Sequence, residues 1–248
     1  MPQTHSLTDT IILIPARMAA SRLPNKPMAD IAGKPLIEHV WAGAIAADIA
    51  PVYVATDHQD IFDHITAIGG RAVMTRQDHA SGSDRIYEAI CKIDPDGHYQ
   101  KLINLQGDLP TITSEAITAL ADLLQEDACD LATLVARASD EEVTRTQVVK
   151  AVMSWQEEGR IGRAHYFSRE AVPHNATDYW HHIGLYGWQR QSLARFVSLP
   201  PSPLEQTEKL EQLRAIEAGM IIKAAMIDEA PGGVDTIDDL EMVRALFN

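Results

Sequence analysis

Cysteine is nearly missing from this sequence, with Cys91 and Cys129 the only two among 248 residues. Unpaired in spacing, they indicate neither a disulfide framework nor a cysteine zinc site, and they fit a reducing cytoplasm. Positive charge is scarce too: 21 Lys and Arg stand against 35 Asp and Glu, for a formal net charge of -14. That balance excludes a general nucleic-acid binder, which carries a basic face. Long apolar runs are also absent. The longest, around Ala42 to Val54, is broken by Asp48 and Pro51 and falls far short of the ~20 residues of a spanning helix, so no membrane partner is expected. The first ten residues lack the basic and apolar regions of a signal peptide and read as a disordered tail. No internal repeat, low-complexity segment or Gly/Ser linker occurs, which favours one domain over residues 1–248 with an excursion in its second half.

What is present is a rhythm. Apolar runs at Ile11–Ile14, Val52–Ala55, Ala72–Met74 and Leu102–Leu105 alternate with amphipathic stretches at Pro35–Ala47, Gln59–Ile68, Ser83–Ile93 and Ser114–Gln125. This βαβα order predicts an α/β fold with a largely parallel sheet covered by helices. Pro35 marks the first helix start, and Ser83 and Thr113 are placed as N-caps. Apolar runs at Asp130–Ala136, Gln147–Ser154 and His181–Trp188 have few helices between them, which predicts antiparallel pairing. Glu157-Glu158-Gly159-Arg160 reads as a hairpin turn whose strands extend beyond the main sheet, an arm suited to a dimer. A helix over Pro203–Ala218, a strand over Ile221–Met226 and a final helix from Ile237, capped by Thr236, close the chain.

Against the acidic background, one loop gathers Arg17, Arg22 and Lys26 with no acid before Asp30. Like charges repel, so such a loop suits an anion of high charge density such as a polyphosphate; a solvated basic loop is the plainer alternative. The glycine-rich motifs G-x-G-x-x-G and G-x-x-x-x-G-K-[ST] are missing, so the phosphates would be held by side chains: two guanidinium forks and one ammonium. Asn25, between Pro24 and Pro27, suits a left-handed turn.

Asn104-Leu105-Gln106-Gly107-Asp108-Leu109-Pro110 leaves an apolar strand at the end where open α/β sheets bind ligands. Asp108 there could hold Mg²⁺ on a triphosphate or cap the next helix, and Gln106 could meet a base or a sugar. Pro231-Gly232-Gly233-Val234-Asp235-Thr236 supplies a second carboxylate, Asp235, at the end of an expected short strand, with helix capping as its alternative role. Ser81-Gly82-Ser83-Asp84-Arg85 offers hydroxyls and a helix N-terminus to a base or phosphate, or simply a cap. Arg169, His182, Tyr186, Glu211, Gln212 and Arg214 could together recognise a small polyhydroxy acid. His181 and His182 alternate across a strand, so only one can face such a site.

Taken in order, these segments resemble the 3-deoxy-manno-octulosonate cytidylyltransferase (CMP-KDO synthetase) family. The pieces are Ile14-Pro15-Ala16-Arg17 with Arg22-Leu23-Pro24 and Lys26-Pro27, Val54-Ala55-Thr56-Asp57, Met74-Thr75-Arg76, Ser81-Gly82-Ser83-Asp84-Arg85 and Asn104-Leu105-Gln106-Gly107-Asp108. They continue through Tyr166-Phe167-Ser168-Arg169, His182-Ile183-Gly184-Leu185-Tyr186, Pro201-Ser202-Pro203-Leu204-Glu205, Leu210-Glu211-Gln212-Leu213-Arg214 and Gly233-Val234-Asp235-Thr236. The resemblance implies a Rossmann-like mixed, mostly parallel sheet of the nucleotide-diphosphosugar transferase type, in a cytoplasmic homodimer. It implies a Mg²⁺-dependent nucleotidyltransferase that joins CMP from CTP to a 3-deoxy sugar acid for lipopolysaccharide synthesis. Arg17 and Lys26 would neutralise the triphosphate with Arg22 assisting, and Asp108 and Asp235 would bind Mg²⁺. Ser83, Arg85 and Gln106 would lie near the nucleotide, and Arg169, His182, Tyr186, Glu211 and Gln212 near the sugar acid. Two positions depart from the family pattern: Asn25 where Gly is usual, and Leu109 where many members carry Glu. An 8-amino sugar acid, a sialic acid and non-catalytic nucleotide binding are the competing readings.

Overall fold

Ile11, Ile12, Leu13 and Ile14 are all fully buried, so the first strand is covered on both faces, as a central parallel strand must be. The computed structural model describes residues 7–19, 23–126, 128–156 and 159–247. They form an α/β fold with parallel and antiparallel strands, in two compact units, residues 1–118 with 231–248 and residues 119–230.

The first unit holds β1 (Thr10–Ala16), the two-residue ribbon β2 (Asp30–Ile31) and β3 (Lys34–Pro35), α1 (Leu36–Ala46), β4 (Val52–Thr56), α2 (Gln59–Ala67), β5 (Arg71–Met74), α3 (Gly82–Ile93) and β6 (Lys101–Asn104). Its main strands run parallel in the order β5-β4-β1-β6, with Ile12 opposite Val52 and Leu13 opposite Asn104. α4 (Ser114–Leu123) follows, with Thr113 Oγ1 accepting from the Ala116 N–H at 3.2 Å as the expected cap.

Of the tail expected over residues 1–10, residues 1–6 lie outside the described residues. The rest is anchored: the Leu7 N–H donates to Ile49 O, Asp9 pairs with Lys101, and Thr10 is fully buried in β1. The cap of α3 also differs from expectation. Ser81, not Ser83, accepts from the Asp84 N–H, while the Asp84 carboxylate accepts from the Ser81 N–H; this box starts the helix two residues earlier.

The second unit holds β7 (Leu131–Arg137), α5 (Asp140–Thr144), β8 (Lys150–Trp155), β9 (Ile161–Ser168), β10 (Trp180–Gln189), α6 (Arg190–Ser198), α7 (Pro203–Glu208), α8 (Gln212–Glu217) and β11 (Ile222–Met226). Its strands are ordered β10-β7-β11-β9-β8, and β8 pairs in turn with β10 through Ala151 and Lys150, so the sheet curls back on itself. Among the described residues of this unit, β7 and β11 pair in parallel and the other pairings are antiparallel. The β8–β9 hairpin is therefore part of this sheet and not the projecting arm expected, because its first strand finds partners on both sides. Glu157 and Glu158 of its turn lie outside the described residues.

The helix expected over Pro203–Ala218 is broken into α7 and α8 at Lys209, which adopts a left-handed conformation at φ 58°. α5 and α6 were not expected. α9 (Ile237–Leu246) closes the chain within the first unit, capped by Thr236 as expected.

Candidate active site

β1 ends at Ala16 and delivers Arg17, exposed, into the basic loop. Arg22 lies outside the described residues. Asn25 takes φ 56° and ψ 25°, the left-handed turn its position suggested, and Lys26 opens a short 3-10 turn with Pro27 behind it. That turn aims the Lys26 ammonium at three oxygens: Asp108 Oδ2 at 2.8 Å, the Val234 carbonyl at 2.7 Å and Asp235 Oδ1 at 3.1 Å.

The two carboxylates reach that point from different chain segments. Asp108 follows the turn after β6, where a Cβ on Gly107 would come within 2.7 Å of the Pro15 carbonyl, so only glycine lets this turn lie against the end of β1. Asp235 lies in an irregular segment, not on the short strand expected, tied to the Asp108 turn by a hydrogen bond from the Val234 N–H to Asp108 O at 2.9 Å. Both alternative capping roles are taken by other residues. Thr113 caps α4, and Thr236 with Asp239 forms the capping box of α9. The Asp108 and Asp235 carboxylates meet at Lys26 instead.

Around them is a cavity of about 300 Å³, lined among others by Arg17, Lys26, Ser81, Arg85, Gln106, Asp108 and Asp235. Gln106 is held by its own amide, which donates to Asn104 Oδ1 at 3.3 Å. Arg85 is 2% exposed and donates to Asp57 at 2.7 Å, Thr75 Oγ1 at 2.6 Å and the Arg76 carbonyl at 3.2 Å, so it braces the cavity wall from within. Ser83 is buried and is not among the lining residues; Ser81 and Gly82 are.

The sequence reading missed His79, which lines the same cavity and hydrogen-bonds Glu88 through Nε2. Burial alone would raise the Glu88 carboxyl, but hydrogen bonds from Lys92 and His79 outweigh it and hold its pKa at about 2. Its only sequence signal was a histidine two residues before a helix cap.

The second unit gathers the other expected residues around β10. The Thr133 hydroxyl lies 3.1 Å and 2.9 Å from the carbonyls of Ile183 and Leu185, which a β-bulge in β10 brings to one side. With its proton so engaged, that hydroxyl accepts from His182 Nε2 at 3.0 Å. His182 Nδ1 is then the acceptor, and the Gln212 amide donates to it at 3.4 Å. Burial pushes the His182 pKa down to about 3, so the ring is neutral at ordinary pH. Its ring centroid lies 5.6 Å from that of Tyr186, whose hydroxyl pKa is raised by burial and then by the Glu211 charge. His181 faces the other way and pairs with Glu142 at 3.1 Å, as strand alternation required.

Arg169 is positioned differently from these. Its Nε donates to Glu208 O at 2.8 Å, and its terminal nitrogens to Lys209 O at 3.3 Å and Thr146 O at 3.1 Å. It thus caps the C-terminal carbonyls of α7. Arg214 grips Glu205 with two bonds of 2.8 Å and 2.5 Å and stacks 4.6 Å over Phe196. Lys150, which the sequence reading passed over, is fully buried, and its ammonium donates to the carbonyls of Arg145, Val148 and Arg169. No described helix is long and apolar enough to cross a membrane.

Residues 11–223 match the family model described as cytidylyltransferase. A 3-deoxy-manno-octulosonate cytidylyltransferase of Paramagnetospirillum magneticum is 54% identical over 238 residues, 96% of this chain and 97% of that protein. One from Rhodopseudomonas palustris is 55% identical over 241 residues, 97% of this chain and 98% of that one. Among solved structures, CMP:2-keto-3-deoxy-manno-octonic acid synthetase complexed with CTP superposes with a TM-score of 0.87 at 40% identity, covering 96% of this chain and 97% of that one. UDP-glucose pyrophosphorylase complexed with UDP-glucose shares the fold at a TM-score of 0.70 and 16% identity, covering 96% of this chain and 98% of that one.

Proposed function

The chain belongs to the cytidylyltransferase family, and from that premise we propose that it transfers CMP from CTP to the anomeric hydroxyl of 3-deoxy-D-manno-octulosonate, releasing pyrophosphate. The observation that carries this reading is the meeting of Lys26, Asp108 and Asp235 in a cavity that Arg17 and Gln106 also line. Cationic and anionic groups there match the needs of a nucleoside triphosphate and its counter-ion, and an ordinary binding pocket has no use for both.

In the reaction, a bond forms between the anomeric oxygen and the α-phosphorus as the bond from that phosphorus to the α,β-bridging oxygen breaks; pyrophosphate leaves with the electron pair, and the hydroxyl proton is released to water. Negative charge grows on the phosphoryl oxygens, so catalysis rests on positioning and on fixed positive charge. Arg17 and Lys26 supply that charge from one loop. Gln106, with its amide oriented by Asn104, is the group suited to the base or ribose. Arg85 acts from behind, holding the ends of β4 and β5 in place through Asp57 and Thr75.

Two carboxylates and a carbonyl that already surround one cation at 2.7 to 3.1 Å form an all-oxygen set that fits Mg²⁺. Among the described residues no cluster of three or more His, Cys, Asp or Glu could hold a metal, so Asp108 and Asp235 would share Mg²⁺ with the substrate's own phosphates. When bound, Mg²⁺ would neutralise phosphoryl oxygens and polarise the α-phosphate.

For the sugar acid, the candidates are His182, Tyr186 and Gln212, linked to one another in the second unit, with Glu211 nearby in charge and Arg169 braced on α7. A neutral His182 suits recognition of hydroxyls better than of a carboxylate. The same reading carries one catalytic domain per chain, a cytoplasmic homodimer and a product used in lipopolysaccharide synthesis.

The test is pyrophosphate release from CTP, UTP and ATP, each with the octulosonate, its 8-amino analogue and a sialic acid, in the presence of Mg²⁺. Release with CTP and the octulosonate above every other pair is expected. A folded protein releasing none with any sugar acid overturns the transfer reading. Faster release with the 8-amino analogue moves the substrate, and Leu109, 9% exposed in the turn that carries Asp108, is the position to exchange next.

A further inference from the structure

Lys26 uses all three of its ammonium protons inside the protein. Its acceptors are Asp108 Oδ2 at 2.8 Å, Asp235 Oδ1 at 3.1 Å and the Val234 carbonyl at 2.7 Å. These are the oxygens assigned above to the divalent cation. Two cations cannot share that point, because the ammonium and a divalent ion would repel at contact distance in a part-buried site. We propose that Lys26 is a resident counter-cation of the carboxylate pair, displaced only when the triphosphate arrives, so that nucleotide and divalent cation bind as one coupled event.

Several features make the exchange mechanically simple. The ammonium sits on a flexible four-carbon stem, so it can leave the carboxylates without backbone movement. The turn beneath it is fixed by the left-handed Asn25 and by Pro27, so the stem pivots from a constant origin. The Asp235 side chain is 51% exposed, which gives an incoming cation a route, whereas Lys26 is 16% exposed. Arg17 lines the same cavity and adds its charge to draw in the triphosphate. With the ammonium docked, the three side chains carry a net charge of about -1, and with it withdrawn the carboxylate pair presents about -2 to an incoming ion. Coupling follows from linkage: whatever removes Lys26 from the pair raises its affinity for the metal.

The exchange rests on the cytidylyltransferase reading only for the identity of the nucleotide. It is tested without turnover, by titrating Mn²⁺ into the full chain and following free Mn²⁺ by electron paramagnetic resonance. Without nucleotide, Lys26→Met should bind Mn²⁺ at least about tenfold more tightly than wild type, since the competing charge is gone. Lys26→Arg, which keeps the charge, should stay as weak as wild type, and adding Asp108→Asn to Lys26→Met should remove the gain. In wild type, a non-cleavable CTP analogue should raise Mn²⁺ affinity above that of the free protein and of the free nucleotide. Equal Mn²⁺ affinity in wild type and a folded Lys26→Met, or no rise in wild type with the analogue, overturns the proposal. Pyrophosphate release with no Mn²⁺ difference removes the exchange and leaves the transfer reading; a Mn²⁺ gain in a protein that releases no pyrophosphate does the reverse.

Discussion

Replacing Lys26 with Ala leaves Asp108 and Asp235 without the ammonium between them and, on the proposed reading, takes one positive charge from the triphosphate site. The first effect bears on metal binding and the second on turnover. Losing one preorganised charge at a developing phosphoryl charge costs on the order of 10² to 10³ in kcat. Lys26→Ala, Asp108→Ala and Asp235→Ala should each fall by about that much in pyrophosphate release at saturating CTP; near-normal turnover in Asp235→Ala would remove it from the site. His182 makes a different kind of prediction. Its folded pKa of about 3 lies below the ordinary histidine value, so between the two the unfolded chain holds the extra proton. Stability from this group is therefore complete above about pH 6.5 and is lost as pH falls toward 3, with a slope approaching about 1.4 kcal/mol per pH unit. Urea unfolding of wild type and His182→Gln at pH 7, 6 and 5 should show the wild type losing more stability, and parallel curves would refute a neutral buried ring. The residues themselves were visible in the sequence, but their partners were not. Arg85 and Arg169 look like anion ligands in one dimension; the fold commits one to Asp57 and the other to the end of α7.

Short elements set where these side chains point. Asn25 holds φ 56°, which glycine adopts without strain and alanine does not. Asn25→Gly should leave the midpoint of thermal unfolding and pyrophosphate release near wild type. Asn25→Ala should lose about 1 kcal/mol and misdirect Lys26, with a drop in turnover larger than its drop in stability explains. Ser81→Ala removes the cap of α3 and should cost about 1 kcal/mol by urea unfolding, whereas Ser83→Ala should not act through the cap. Elements whose cause is local were legible: β1 from an unbroken apolar run, α9 from the cap Thr236, the β8–β9 hairpin from the turn residues ahead of Ile161. The break between α7 and α8 was not. Lys209 carries no glycine signal, and it holds its left-handed conformation beside carbonyls that Arg169 satisfies from β9's end, a tertiary cause that no window of sequence contains.

At the scale of the whole chain, the α/β rhythm was readable because a parallel strand buried on both faces writes itself as an unbroken apolar run. The curled second sheet was less so, since its closure of β8 on β10 depends on pairs about thirty residues apart in sequence, Trp180 with Ala151 and His181 with Lys150. Physics alone reached a polyphosphate site from the loop after β1, while the choice of nucleotide and sugar acid came from resemblance and from relatives over nearly the full length. The described residues assigned to the nucleotide and cation, Arg17, Lys26, Ser83, Arg85, Gln106, Asp108 and Asp235, all belong to the first unit. Those assigned to the sugar acid, Arg169, His182, Tyr186, Glu211 and Gln212, all belong to the second. Each substrate should therefore leave its own record in amide hydrogen exchange, because a ligand slows opening where its contacts are ordered. A non-cleavable CTP analogue with Mg²⁺ should slow exchange over residues 81–85, 106–108 and 234–236. The octulosonate alone should slow residues 182–186 and 211–214 instead. If the nucleotide analogue protects both sets equally while the sugar acid protects neither, the division of the two substrates between the units is wrong, and His182, Tyr186 and Gln212 serve the structure of β10 and not the sugar.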